Sequence, residues 1–196
     1  MPIEVEQKFR VADLDPVRAR LLELGFEPGA ALRQADRYYA HPCRDFARTD
    51  EALRLRSEGD CHTLTYKGPK LDGQTKTRRE IPLALPDGPA AASAAEELLA
   101  CLGFASAGSV VKQRRPLHRD DGAFALEAAL DDVEGLGCFV ELEILVDDDA
   151  ARAGGLEPAR QAMRSLAAEL GLEDVERRSY LELRLAQAAN RPAARP

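Results

Sequence analysis

The sequence predicts an α+β protein, in which an antiparallel β-sheet or barrel carries helices on its outside. Three observations favour this class. Most strand-like segments alternate apolar with charged residues, and segments with helical spacing lie between them. The order strand, helix and three strands also occurs twice, and two such copies would close into one antiparallel barrel.

The first strand shows the alternation most clearly. Ile3, Val5 and Phe9 share one face, and Glu4, Glu6 and Lys8 share the other. Two interpretations are open at this point. The charged face is either the solvated side of an ordinary sheet or an inward face that holds metal ions and a polyanion.

The helices carry recognisable start and stop signals. Asp15 as N-cap, Pro16 at the first helical position and Gly25 past the end predict a first helix. An alanine-rich helix follows the turn at 86–89 and runs to Leu102, where Gly103 closes it. Two further helices are expected over residues 158–170 and 175–189.

The remaining strands follow the same pattern as the first. In the segment 52–56 the leucines lie on one face, and Arg54 and Arg56 lie on the other. Gly68-Pro69 is expected to end the strand that begins at Cys61. The predicted strands cover residues 3–9, 32–40, 52–56, 61–67, 76–83, 110–115, 123–130 and 138–146.

Length and composition limit the possible functions. The 196 residues suit one domain, expected over 1–189, with a flexible tail over 190–196. A net charge of −7 argues against a nucleic-acid partner. No apolar run is long enough to span a bilayer, so no membrane partner and a cytoplasmic location are expected. The four scattered cysteines argue against a zinc cluster and a disulfide scaffold.

The charged faces of the strands share one chemistry. Carboxylate oxygens suit Mg²⁺ or Mn²⁺, while arginine and lysine suit phosphate oxygens. Charged alternation in so many strands favours an inward face that binds metal and triphosphate over a set of exposed salt bridges. The carboxylates are Glu4, Glu6, Glu80, Glu127, Asp131, Glu141 and Glu143. The cations are Lys8, Arg54, Arg56, Lys67, Lys76, Arg78, Lys112 and Arg114.

Several motifs occur in a diagnostic order. They are the ExExK strand 4–8, the segment 51–56, Thr-Tyr-Lys-Gly-Pro at 65–69, Arg-Arg-Glu at 78–80, Lys-Gln-Arg at 112–114, the segment 130–137 and Phe-Val-Glu-Leu-Glu at 139–143. With them the chain resembles the CYTH, or triphosphate tunnel metalloenzyme, superfamily along nearly its whole length. The segments 132–137 and 178–183 make it most similar to the bacterial class IV adenylate cyclase (CyaB-type) branch.

The resemblance implies an eight-stranded antiparallel tunnel with Mg²⁺ or Mn²⁺, expected as two ions. The implied metal ligands are Glu4, Glu6, Asp131, Glu141 and Glu143, with Glu80 as a further candidate. The implied triphosphate ligands are Lys8, Arg54, Arg56, Lys67, Arg78, Lys112 and Arg114, and Lys76 is added from its position in the same charged row. Glu4, Glu6, Lys8, Asp131, Glu141 and Glu143 are the expected catalytic residues. A homodimer is also expected from the resemblance.

Three functions stay open from the sequence. The leading one is an adenylate cyclase, which converts ATP into cyclic AMP and pyrophosphate. The second is a hydrolase of inorganic tripolyphosphate or thiamine triphosphate. The third is a module that binds a nucleotide or polyphosphate without turnover. Tyr38 and Tyr39 are expected to divide between the core and the tunnel mouth, where one could meet a base.

Overall fold

Eight strands close into an antiparallel barrel in the computed structural model, which describes residues 3–70, 78–120, 122, 124–146 and 154–190. The described strands are β1 (Ile3–Val11), β2 (Glu27–Pro28), β3 (Leu32–Ala40), β4 (Ala52–Glu58), β5 (Cys61–Lys70), β6 (Arg78–Ala84), β7 (Ala105–Asp120), β8 (Ala125–Val133) and β9 (Gly137–Val146). The described helices are α1 (Asp15–Glu23), α2 (Phe46–Thr49), α3 (Pro89–Cys101), α4 (Leu156–Glu169) and α5 (Tyr180–Ala189).

The barrel order confirms the predicted fold class. It runs β7-β3-β4-β5-β6-β1-β9-β8 and returns to β7, and β2 pairs with β7 from outside. The same order explains the repeat in the sequence. The strands β1, β3, β4 and β5 of the first copy correspond in this order to β6, β7, β8 and β9 of the second. Under this correspondence every strand pairing has a counterpart: β3–β4 matches β7–β8, β4–β5 matches β8–β9, and β5–β6 matches β9–β1. The two copies therefore form the halves of one barrel with approximate twofold symmetry.

Helices cover the apolar outer faces of the strands. The largest core lies under α1 and α4, where Val5, Leu130 and Val140 of the barrel meet Leu21 and Met163 of the helices. A smaller core forms where Leu99 of α3 packs against Tyr39 and Leu55. Burial of these faces leaves the alternate, charged residues of the same strands for the interior of the barrel.

Among the predicted boundaries that differ from the structure by a few residues, three have a clear local cause. The N-cap of α1 is Leu14 and not Asp15, whose backbone N–H is instead bound by the Asp13 carboxylate. The strand β5 continues through Gly68-Pro69 to Lys70, because the pairing with β6 accommodates an irregularity between Lys67 and Lys70. The last helix begins at Tyr180, because Val175 pairs with Phe9 of β1 instead of turning into a helix.

The strand β7 is much longer than the predicted segment 110–115 and passes through Pro116. Along one edge, β7 pairs first with β3 and then with β2. Proline is tolerated at position 116 because it lies in the gap between these two partner strands. The pairing with β3 ends at Arg114, and the pairing with β2 begins at Leu117. The carbonyl of Pro116 accepts a hydrogen bond from Gly29, and its missing N–H costs no ladder bond.

Some expectations cannot be compared with the structure. Lys76 and the first part of the predicted strand 76–83 lie outside the described residues, as does the tail beyond Asn190. Among the helices that the structure describes, none has the length and apolar character needed to cross a membrane.

Candidate active site in the barrel interior

The pairing of β1 with β9 brings the two acidic motifs together inside the barrel. Glu6 lies opposite Glu143, and Lys8 lies opposite Glu141. Val5 and Phe9, which alternate with these residues, are buried in the outer core. The charged face of β1 is therefore the inward one, which excludes the solvated face of an ordinary sheet. That this face holds metal ions and a polyanion stays a prediction.

The barrel interior contains a cavity of about 820 Å³. Most of the sequence-predicted site residues line it. The carboxylates are Glu4, Glu6, Glu80, Glu141 and Glu143, and the cations are Lys8, Arg54, Arg56, Lys67, Arg78, Lys112 and Arg114. Asp131 does not line the cavity, and Lys76 lies outside the described residues.

Glu4 and Glu143 sit in an environment that opposes their ionisation. Burial raises the pKa of Glu143 to about 7, and the nearby carboxylates Glu6 and Glu127 contribute. Burial also raises the pKa of Glu4 well above its ordinary value, with further repulsion from Glu143 and Glu6 and an opposing attraction from Lys67. A bound cation would stabilise the ionised form of these clustered carboxylates, because it offsets their mutual repulsion.

Asp131 is placed behind the cavity wall rather than in it. Its side chain is fully buried, and its carboxylate accepts hydrogen bonds from Lys112 at 2.7 Å and from Arg114 at 2.8 and 2.6 Å. The Tyr180 hydroxyl donates to it at 2.9 Å. Donors from three side chains engage its oxygens, so Asp131 holds the two cations in place in this structure. Its role as a metal ligand, which the resemblance implies, stays a prediction.

Asp36 is a site residue that the sequence reasoning missed. It is buried on β3 and lines the cavity, where its two oxygens bind Arg56 at 2.7 and 2.8 Å. Arg54 lies 3.7 Å away. Burial alone would raise the pKa of Asp36, but the hydrogen bonds from Arg56 and the charge of Arg54 outweigh it and lower the pKa. Asp36 lies two residues before Tyr38 and therefore on the same face of β3, and this position was the signal available in the sequence.

The other cations also have partners in this structure. Lys67 donates to Glu80, and Arg78 lies 3.4 Å from the same carboxylate. Burial lowers the pKa of Lys67, and the charge of Arg54 adds to that effect. Burial likewise lowers the pKa of Lys112 to about 8. A polyanion in the cavity would restore the fully charged state of these lysines.

Tyr180 connects the C-terminal helix to the site. Its ring lies 3.9 Å from the Lys8 ammonium and 5.0 Å from that of Lys112, within the range of cation–π attraction. The ammonium of Lys8 also donates to the Arg178 carbonyl at 2.6 Å. From the sequence, Tyr180 belongs to the expected helix 175–189 and to the segment 178–183 of the resemblance, and nothing in the helical pattern shows that its side chain enters the barrel.

The donor set fits a hard divalent cation. Glu4, Glu6 and Glu143 supply carboxylate oxygens, which Mg²⁺ and Mn²⁺ prefer. Within the described part of the chain, no three acidic, histidine or cysteine side chains are already grouped around a common ion position. A site without a preformed cluster of three ligands is compatible with Mg²⁺, because this ion usually binds one or two carboxylates and completes its coordination shell with water and substrate phosphate.

The comparison with known families agrees with this geometry. The CYTH domain model matches residues 2–180. The chain belongs to the CYTH family. It is 37% identical to MJ0240 of Methanocaldococcus jannaschii, provisionally named an adenylate cyclase, over 93% of this chain and 98% of that protein. It is 30% identical to the adenylate cyclase CyaB of Aeromonas hydrophila, over 92% of this chain and 87% of CyaB.

A solved structure supports the fold of this CYTH protein. The PH1819 protein of Pyrococcus horikoshii is 40% identical to it, with a TM-score of 0.80, and the match covers 94% of this chain and 99% of that one. The predicted superfamily and barrel are thereby confirmed. The roles of the individual residues in this CYTH protein stay predictions.

Proposed function

We propose that this CYTH protein is a divalent-metal-dependent enzyme that acts on triphosphates, and that its reaction is the conversion of ATP into cyclic AMP and pyrophosphate. The observation that carries this proposal is the charge arrangement of the cavity. Carboxylates on β1 and β9 face cations on β4, β5 and β7 inside one closed barrel. The two relatives named as adenylate cyclases favour cyclisation over hydrolysis.

The balance of charge supports a metal–triphosphate as the ligand. Asp36, Asp131 and the five predicted carboxylates that line the cavity make seven, and the predicted cations that line it are also seven, so these groups are neutral in sum when all are ionised. A triphosphate carries about four negative charges, and two divalent cations offset them, so the complex leaves this balance unchanged. A free triphosphate or free metal ions would each disturb it.

The protein side chains have distinct roles in the proposed reaction. Arg54 presents its planar guanidinium group to phosphate oxygens, and Lys112 presents a point charge. Arg56 and Arg114 add their positive charge and the N–H groups that remain beside their bonds to Asp36 and Asp131. They orient the triphosphate and stabilise the pyrophosphate as it leaves the α-phosphorus. Glu4, Glu6 and Glu143 would hold the divalent ions, which supply charge neutralisation and a lowered pKa for the attacking hydroxyl.

A second function uses the same tunnel. Hydrolysis of inorganic tripolyphosphate or thiamine triphosphate needs the same cations and carboxylates, with water instead of the ribose hydroxyl as the attacking group. The charged groups of the cavity suit it equally well, because the paired lysines, arginines and carboxylates described above bind phosphate or metal and none of them selects a nucleoside. A non-catalytic binding module is the third possibility.

Product analysis separates the three functions. The protein is incubated with Mn²⁺ and ATP, and separately with tripolyphosphate and thiamine triphosphate. We expect cyclic AMP and pyrophosphate in equal amounts from ATP, and loss of turnover in Glu6→Gln. The exposed Glu173→Gln is the matched control. Orthophosphate without cyclic AMP would establish the hydrolase instead, and thermal stabilisation by ligands without turnover would establish the binding module.

A further inference from the structure

A segment between the last two helices is hydrogen-bonded to the edge of β1. The backbone N–H of Arg10 donates to the carbonyl of Asp174 at 3.0 Å, and the backbone N–H of Glu176 donates to the carbonyl of Lys8 at 2.8 Å. We call residues 174–180 the strap, which ends with the first residue of α5. The strap therefore binds the backbone of a lysine that lines the cavity.

The strap occupies the edge of β1 that faces β6. The other edge of β1 is paired with β9 from Ile3 to Val11. Among the described residues, β1 and β6 share the single pairing of Glu4 with Arg78, so their ladder does not extend to Lys8. The strap forms the barrel wall on this side of Lys8 and takes the place of a neighbouring strand there.

The strap also holds the side chain of Lys8. The ammonium donates to the Arg178 carbonyl at 2.6 Å, and it lies 3.9 Å from the centre of the Tyr180 ring. Lys8 is only 1% exposed, and a buried ammonium is stable only when polar groups replace its water. The carbonyl and the ring are neutral, so these two contacts fix the ammonium without cancelling its charge.

The two groups that hold the ammonium are themselves fixed. The Glu176 carboxylate accepts hydrogen bonds from the backbone N–H of Arg178 at 2.9 Å and from its guanidinium group at 2.9 and 2.6 Å, which orders the turn before α5. The Tyr180 ring packs edge-on against Phe139, and its hydroxyl donates to Asp131. An ordered strap sets the position of Lys8 before a ligand binds, which lowers the entropic cost of binding.

The carboxylate of Glu141 is the alternative partner of the Lys8 ammonium. The two charged groups are 4.0 Å apart, and Glu141 is one of the metal ligands that the resemblance implies. If the contacts from the strap were lost, the attraction between opposite charges in a buried site would bring Lys8 onto Glu141. Such a pair would take a cation from the phosphate oxygens and a carboxylate from the metal.

We propose that the strap is a positioning element of the candidate active site. Tyr180 and Glu176 are its positioning residues, and they direct the ammonium of Lys8 to the triphosphate instead of to Glu141. This inference rests on the proposed function in one respect, namely that the tunnel binds a triphosphate.

A double-mutant cycle between Lys8 and Tyr180 tests the coupling. Binding of α,β-methylene-ATP is measured by calorimetry with Mn²⁺ for the wild type, Tyr180→Leu, Lys8→Met and the double variant. We expect Tyr180→Leu to weaken binding about tenfold when Lys8 is present and about twofold or less in the Lys8→Met background. Tyr180→Phe keeps the ring beside Lys8 and should rescue the affinity to within about threefold of the wild type.

A control variant separates positioning from stability. Leu183 is buried on α5 in the same small core as Tyr180, and none of the contacts described above that hold Lys8 comes from its side chain. Leu183→Ala should therefore lower the urea midpoint of unfolding and leave the affinity for the analogue unchanged. If Tyr180→Leu does not fold, Glu176→Ala completes the same cycle with Lys8→Met, because it loosens the turn that presents the Arg178 carbonyl.

The outcomes separate the strap from the site. If Tyr180→Leu weakens binding equally in the wild type and in the Lys8→Met background, the positioning role is wrong and the triphosphate site stands. Equal weakening by Leu183→Ala and Tyr180→Leu would have the same meaning. Failure of the wild type to bind the analogue with Mn²⁺ would overturn the proposed function, and the positioning role with it.

Discussion

The carboxylate of Glu143 should make the metal-free protein less stable as the pH rises. Its pKa is about 7 in the folded protein, raised by burial from the ordinary value of 4.5. Below pH 4.5 the carboxyl is protonated in both the folded and the unfolded state. Between pH 4.5 and 7 only the folded state keeps the proton, so the free energy of unfolding falls as the pH rises through this window.

The variant Glu143→Gln removes this dependence. The rise from 4.5 to about 7 corresponds to roughly 3 kcal/mol, at about 1.4 kcal/mol per pKa unit. At pH 8 the metal-free variant should therefore be more stable than the wild type by up to about 3 kcal/mol, and at pH 5 the gain should largely disappear. Loss of the charge also relieves the repulsion on Glu4, which acts in the same direction.

Urea unfolding in EDTA at pH 5, 6.5 and 8 measures the difference directly. Glu173→Gln is again the exposed control. A difference between Glu143→Gln and the wild type that stays constant over these pH values would refute the reasoning. Addition of Mn²⁺ at pH 8 should favour the wild type over the variant, because only the complete carboxylate set gains the full stabilisation from binding.

The remaining predictions concern the groups that hold the cations. Asp131→Asn should lower the free energy of unfolding by about 3–5 kcal/mol, measured in urea, because it leaves Lys112 and Arg114 buried with less counter-charge. Tyr180→Phe removes only one hydrogen bond to Asp131 and should cost about 1–3 kcal/mol in the same measurement; an equal loss in both variants would contradict the assignment. Asp36→Asn should strengthen the binding of metal-free tripolyphosphate about tenfold in calorimetry, since it removes a negative charge beside Arg56, and weaker binding would contradict it.

The sequence predicts the barrel and most of its interior because strand alternation is a local property. Arg54 and Arg56 alternate with Leu53 and Leu55, so four residues are enough to assign the charged and the apolar face of this strand. Burial of Leu55 in the structure agrees with that separation. Whether the charged face points into the barrel or towards solvent cannot be predicted from one strand, because it depends on closure of the whole sheet.

Asp36 and Tyr180 show where local patterns stop being sufficient. Asp36 stands alone as an acid in a strand without the charged alternation, and its importance appears only when β3 pairs with β4 and brings Arg56 beside it. Tyr180 is 49 residues from Asp131 in the chain. Contacts at such separation depend on how α5 docks on the barrel, which no periodicity specifies.

The polarity of the tunnel follows from divergence between the two halves of the barrel. The equivalent strands β3 and β7 are neighbours in the barrel, as are β1 and β6, whereas β4 and β5 lie apart from their equivalents β8 and β9. Identical copies would give these two separated pairs of strands the same charge. Instead β4 carries Arg54 and Arg56 where β8 carries Asp131, and β5 carries Lys67 where β9 carries Glu141 and Glu143. These separated strands have therefore become cationic in the first copy and anionic in the second, while β1 and β7 add Glu4 and Glu6 to the first copy and Lys112 and Arg114 to the second. A ligand that spans both sets of strands must itself combine anionic and cationic groups, and a triphosphate with bound divalent metal meets that requirement.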